Sequence, residues 1–137
     1  MIDISDLKPH EEIDPKRVFQ IQESIIKEGL KHPIVVDKLT KIILDGHHRY
    51  NVMKSLKIDK VPVFYVDYFD SRIVVDSWNG LKLTKNDVIN NVREGKLFPN
   101  KTTKHMFISE KGVVHISLIT PEINVDILNL RTFDNPY

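Results

Sequence analysis

Residues 43–56, ILDGHHRYNVMKSL, set an acid, a glycine, two histidines and an arginine in consecutive positions between an apolar run and a helix-like pattern. Tyr50, Val52, Met53 and Leu56 fall close to helical spacing. The apolar residues before Asp45 therefore read as a strand, Asp45 and Gly46 as its end, and His47 and His48 as the first helical turn. A strand that feeds a helix in this way points to an α/β fold.

The flanks extend that reading. Residues 14–29, DPKRVFQIQESIIKEG, carry helix punctuation at both ends: Asp14 as a cap, Pro15 in the first turn and Gly29 as the stop. Val18, Ile21, Ile25 and Ile26 supply its buried stripe. PIVVD (33–37) and KIILD (41–45) are β-branched and read as a strand pair, and VPVFYVDYF (61–69) and RIVVDSW (72–78) as two further strands joined by an acidic turn. Thr84 and Asp87 open a third helix that Gly95 ends. The tail segments MFISEKGVVHISLI and INVDILNL read as strand-rich. The expected architecture is one α/β domain, residues 1–137, with a small mixed sheet, helices at about 15–29, 46–56 and 84–94, and a strand-rich C-terminal tail.

Composition narrows the function. Twenty Lys plus Arg against nineteen Asp plus Glu leave a net charge of +1, without the basic excess of a nonspecific nucleic-acid binder. No cysteine is present, which removes disulfides, thiolate zinc sites and thiol nucleophiles. No apolar run approaches the ~20 residues needed to span a bilayer, and the acidic start MIDISDLKPHEEID lacks the order of a secretion signal, so a soluble cytoplasmic protein is expected.

Three constellations can carry chemistry. A helix N-terminus presents unpaired N–H groups and partial positive charge, so DGHHR can bind an anion, phosphate above all, where Gly46 permits close approach. Asp45 can cap that helix or coordinate magnesium together with phosphate oxygens, Arg49 adds charge-assisted contacts, and His47 or His48 further donors. A plain turn and cap with exposed histidines is the alternative. KTTKH, Lys101 to His105, offers amines, hydroxyls and an imidazole as a second anion cradle, or else a solvated turn. LKPHEEID places Glu11 and Glu12 before the first helix, as a general base or as surface charges. Trp78, the single tryptophan, reads as core by sequence, with a pocket wall as the alternative.

LKPHEEID, ILDGHHRYNVMKSL, VPVFYVDYFD with a tryptophan soon after, and DVINNVREGKLFPNKTTKH, in this order over about the first 105 residues, resemble the ParB/sulfiredoxin-like fold, and within it the free L-serine kinases of archaea. The resemblance implies phosphoryl transfer from ATP or ADP to the hydroxyl of free L-serine with Mg²⁺, giving O-phospho-L-serine for cysteine biosynthesis. It implies Glu11 as the base and Asp45 as the aspartate near metal and phosphoryl group. Gly46, His47, His48, Arg49, Lys101, Thr102 and Thr103 would hold nucleotide phosphates; Trp78, Lys104 and His105 would contact the amino acid. The implied partners are these small molecules, with no nucleic acid or membrane.

Sulfiredoxin chemistry needs a cysteine where His47 stands and is excluded. A ParB-like CTP-binding regulator is the runner-up, disfavoured by DGHHR in place of a GxRR-type motif and by the short stretch after residue 105. The chain also departs from the kinases in one place. Only NGLKL joins Trp78 to Thr84, where those enzymes carry a substantial insertion.

Overall fold

A computed structural model describes residues 1–78, 80, 82–100 and 102–126. The elements run β1 (Ile2–Asp3), α1 (Pro15–Glu28), β2 (Ile34–Asp37), β3 (Ile43–Asp45), α2 (His47–Ser55), β4 (Lys60–Val61), β5 (Val63–Val66), β6 (Ile73–Ser77), α3 (Lys85–Glu94), β7 (Thr103–Ser109) and β8 (Gly112–His115). The three helices lie within a residue or two of the expected ranges because their ends are chemically marked. Asp14 accepts from the Lys16 N–H at 3.0 Å ahead of Pro15, and Thr84 and Asp87 close a reciprocal capping box on α3.

The strands form more than one sheet. β2 is central in a mixed sheet of order β3-β2-β5, antiparallel to β3 and parallel to β5; β6, β7 and β8 form a separate antiparallel sheet, and β1 pairs with β4. The single strand expected over 61–69 is split, with Pro62 between β4 and β5, since proline cannot donate to a ladder. The tail contributes β8 and a 3-10 turn at Ile116–Ile119, while Val125 bridges to Leu30; the rest of INVDILNL, from residue 127 on, lies outside the described residues.

β2 is buried on both faces, which accounts for its unbroken apolar run. Ile34 and Val36 join Ile25, Tyr50, Val52 and Met53 in a core beneath α1 and α2. Val35 faces the second core, with Leu44, Tyr68, Ile73, Val88 and Ile116. The mixed sheet is thus a shared wall, and α2 packs against the first core through Tyr50, Val52 and Met53. No helix among the described residues is long and apolar enough to cross a membrane.

Asp37, at the end of β2, is fully buried yet satisfied: Oδ2 accepts from Thr40 N–H (2.9 Å) and Thr40 O–H (2.6 Å), and Oδ1 from Tyr68 N–H (2.9 Å). Burial pushes its carboxyl up, but the donors outweigh this and hold it below its ordinary value. Asp37→Ala strands a buried Tyr68 N–H and should cost at least ~2 kcal/mol in urea unfolding. A loss under ~0.5 kcal/mol, the range of ordinary surface substitutions, contradicts this account.

Candidate active site

The end of β3, the start of α2, the first turn of α1 and the start of β7 converge on a cleft of about 350 Å³, lined among others by Glu11, Asp45, Gly46, Arg49, Trp78 and Lys104. Asp45 does not cap α2; no side-chain cap is made, and Gly46 takes the N-cap position with φ +104°. Asp45 Oδ2 instead accepts from Arg49 Nη2 at 3.1 Å, one helical turn on, and the same Nη2 donates to the Pro33 carbonyl at 3.3 Å. The backbone angle is what requires glycine there; a Cβ would also lie 2.8 Å from Arg49 Nη2, a contact the flexible arginine would have to move to relieve. Helix geometry leaves the first-turn N–H groups of α2 without acceptors inside the helix, beside this ion pair.

Glu11 is held from the opposite side. Its Oε1 accepts from the backbone N–H groups of Thr102 and Thr103, both at 2.7 Å, and from Thr103 Oγ1 at 3.3 Å. The segment is pinned further by His10 C=O accepting from Phe98 N–H (2.8 Å) and Glu12 N–H donating to Phe98 C=O (2.7 Å). Burial raises the Glu11 carboxyl above its ordinary value; the Thr103 and Thr102 donors pull it back only in part, and the charge of Asp45 pushes it up again. Thr102 Oγ1 donates to the Pro99 carbonyl at 2.6 Å. The hydrogen bonds of both threonines described here therefore run to the protein, and they act first on Glu11.

Of the site histidines, His10, His47 and His105 are buried and His48 is half-buried. His47 Nε2 accepts from the His10 backbone N–H at 3.1 Å, and His48 Nε2 from the Asp14 N–H at 3.2 Å, so two neighbours on α2 reach back to two points on the entering chain. His105 has both ring nitrogens engaged: Nδ1 donates to the Leu44 carbonyl at 2.9 Å, which leaves Nε2 to accept from the Tyr68 hydroxyl, also at 2.9 Å. His10 Nε2 shares a 3.0 Å hydrogen bond with Thr103 Oγ1, and its ring packs edge-on to His47 and His105 at 4.5 and 5.7 Å between centroids. The imidazoles expected to touch phosphate or amino acid thus make protein contacts, and their role falls on positioning.

Trp78 departs from its core reading: it is 59% exposed, because β6 ends at Ser77 and the ring hangs over the cleft with Lys104 Nζ 4.7 Å from its centroid. Lys101 lies outside the described residues. Three lining residues escaped the sequence reading. Arg17 looked like an ordinary helix charge, Asn100 like a turn former, and His115 belonged to an unassigned tail, where its Nδ1 accepts from Ser117 N–H at 3.1 Å. The spacing of Arg17 to Ile21, one turn apart on α1, is the one signal that put both on the same face.

Residues 1–76 match the ParB N-terminal domain family. An ATP-dependent L-serine kinase of Staphylothermus marinus is 40% identical over 83 residues, 57% of this chain and 33% of that protein. An ADP-dependent L-serine kinase of Thermococcus kodakarensis is 25% identical over 124 residues, 86% of this chain and 51% of that protein. The chain therefore spans about a third to a half of the length of these relatives. A solved free serine kinase in complex with AMP superposes with a TM-score of 0.77 at 17% identity, covering 94% of this chain and 92% of that one, which shows a common fold.

The buried imidazoles predict acid sensitivity. Burial holds His10 at about 4 and His105 at about 3, and lowers His47 as well. Between those values and the unfolded value near 6.5 the unfolded chain binds more protons, so stability falls as pH falls through that window, by up to ~1.4 kcal/mol per pH unit for each histidine. Glu11, shifted upward, works in the opposite sense but for one proton only. Thermal melts should show a clear drop in Tm from pH 7 to pH 5; an unchanged Tm rules out neutral buried imidazoles.

Proposed function

The chain belongs to the ParB N-terminal domain family, and from the chemistry its cleft assembles we propose that it is a small-molecule kinase, transferring a phosphoryl group from ATP or ADP to the hydroxyl of free L-serine to give O-phospho-L-serine. The observation that carries this is the pairing of a raised-pKa glutamate with an aspartate at a helix N-terminus in one cleft. The kinases that share its sequence and fold support the reading.

Phosphoryl transfer asks for position and charge neutralisation more than covalent chemistry. With three donors on Oε1, the proton-accepting role falls to Glu11 Oε2. It takes the serine hydroxyl proton as that oxygen bonds to the terminal phosphorus; the bond from phosphorus to the bridging oxygen breaks, and ADP or AMP leaves. The raised pKa makes the carboxylate a stronger base. The first turn of α2, from Gly46, holds the phosphates with Arg49 and Lys101, while Lys104 and Trp78 take the amino acid. Thr102, Thr103, His10, His47, His48 and His105 set the positions of Glu11 and of the α2 start.

The donor set fits magnesium. Among the described residues no group of three or more His, Cys, Asp or Glu could hold a metal. Mg²⁺ commonly uses one or two carboxylates plus substrate phosphates and waters, and Asp45 is such a carboxylate. Bound there with nucleotide, the ion supplies charge neutralisation on phosphate oxygens.

A ParB-like CTP-binding regulator is the second reading, favoured by membership of the ParB N-terminal domain family. Incubation with serine, magnesium and each of ATP, ADP and CTP, followed by mass spectrometry, separates the two: phosphoserine is expected with ATP or ADP, and CTP binding without any phosphorylated amino acid favours the regulator. Glu11→Gln should lower kcat by ~10²–10⁴-fold while nucleotide still binds; full activity in Glu11→Gln or in Asp45→Asn overturns the assignment. Because Glu11 must be ionised, kcat/KM should fall on the acid side through an apparent pKa above the usual ~4.3 of glutamate. A profile flat down to pH 4.5 is incompatible with this base.

A further inference from the structure

Three cationic side chains among the described residues line the cleft, Arg17, Arg49 and Lys104, against two carboxylates, Glu11 and Asp45. Arg49 already donates to Asp45 and to the Pro33 carbonyl, and Lys104 lies over the Trp78 ring. Arg17 makes no salt bridge among the described residues. With it the described lining carries three cations against two carboxylates, a balance that suits a ligand as anionic as a nucleoside di- or triphosphate.

Its place is fixed. Arg17 is in the first turn of α1, and that turn is clasped to the first turn of α2 by the 3.2 Å bond from Asp14 N–H to His48 Nε2. The first turns of α1 and α2 are thus held together at the cleft that Arg17 and the α2 start both line. Lys104 comes from β7, a different element lining the same cleft.

We infer that Arg17 binds the polyphosphate of the nucleotide from the α1 wall, leaving Lys104 and Trp78 to the acceptor. This rests on the nucleotide site of the kinase reading but not on serine as its acceptor. Guanidinium suits the task, since its planar fork can hold two phosphate oxygens at once.

The test is calorimetric titration of the full chain with ADP, ATP and adenosine in the presence of magnesium. Arg17→Ala should weaken ADP and ATP by about ten- to a hundred-fold, with adenosine unchanged, and Arg17→Lys should fall between. The residue is exposed, so both variants should keep the wild-type Tm. Equal ADP affinity in Arg17→Ala and wild type overturns the inference whether or not phosphoserine forms, and so does an equal loss of adenosine, which would mark an arginine packed on the base. ADP binding without phosphoserine sinks the serine reading alone. A wild-type chain that binds no nucleotide sinks both.

Discussion

One hydrogen bond joins the two main sheets where the chemistry is placed. The Leu44 carbonyl, on β3, accepts from His105 Nδ1, on β7. That bond is buried, and so is its continuation: the Tyr68 hydroxyl donates to His105 Nε2, and Asp37 accepts the Tyr68 backbone N–H. In a low-dielectric interior such a chain is worth having only if every member is satisfied, and the three links from Asp37 to Leu44 meet that condition. Leu44 precedes Asp45, so fixing its carbonyl fixes the direction in which the aspartate leaves the strand.

A second junction does the same for Glu11. The start of β7 presents the N–H groups of Thr102 and Thr103, and without a partner these would be costly to bury. Glu11 Oε1 satisfies them, and His10 beside it locks the segment through His47 and Thr103. The carboxylate is thereby bound firmly through one oxygen while burial and Asp45 raise its proton affinity. Strong hydrogen bonding alone would have given a feeble base; burial without donors would have given a neutral acid.

Sequence made some of this readable. Caps and turns are local, so Asp14–Pro15, the Thr84–Asp87 box and the strand-to-helix step at Asp45–Gly46 could be placed from neighbours alone. The resemblance carried the grouping of Glu11, Asp45 and the residues from Thr102 to Lys104, since their proximity is set by topology rather than spacing. What each histidine does was not legible. His47 meets a residue 37 positions away, His48 one 34 away and His105 one 61 away, and nothing in HH or KTTKH says whether an imidazole faces solvent or the opposite sheet. Trp78 escaped for the converse reason: apolar surface suggested core, but the strand ends one residue before it.

The interior histidines and the rim cations follow from one requirement. A junction between sheets needs groups that both donate and accept, and neutral imidazole does this without bringing a charge into the core. Charges are then kept where solvent can share their cost. The Asp45–Arg49 pair retains about a fifth of its side-chain surface, 23% and 20%. Gly46 lets the guanidinium lie close over the turn, which puts Asp45, Gly46 and Arg49 together as one unit at the α2 N-terminus. The polar junctions behind it hold the backbone from which both carboxylates, Glu11 and Asp45, are aimed.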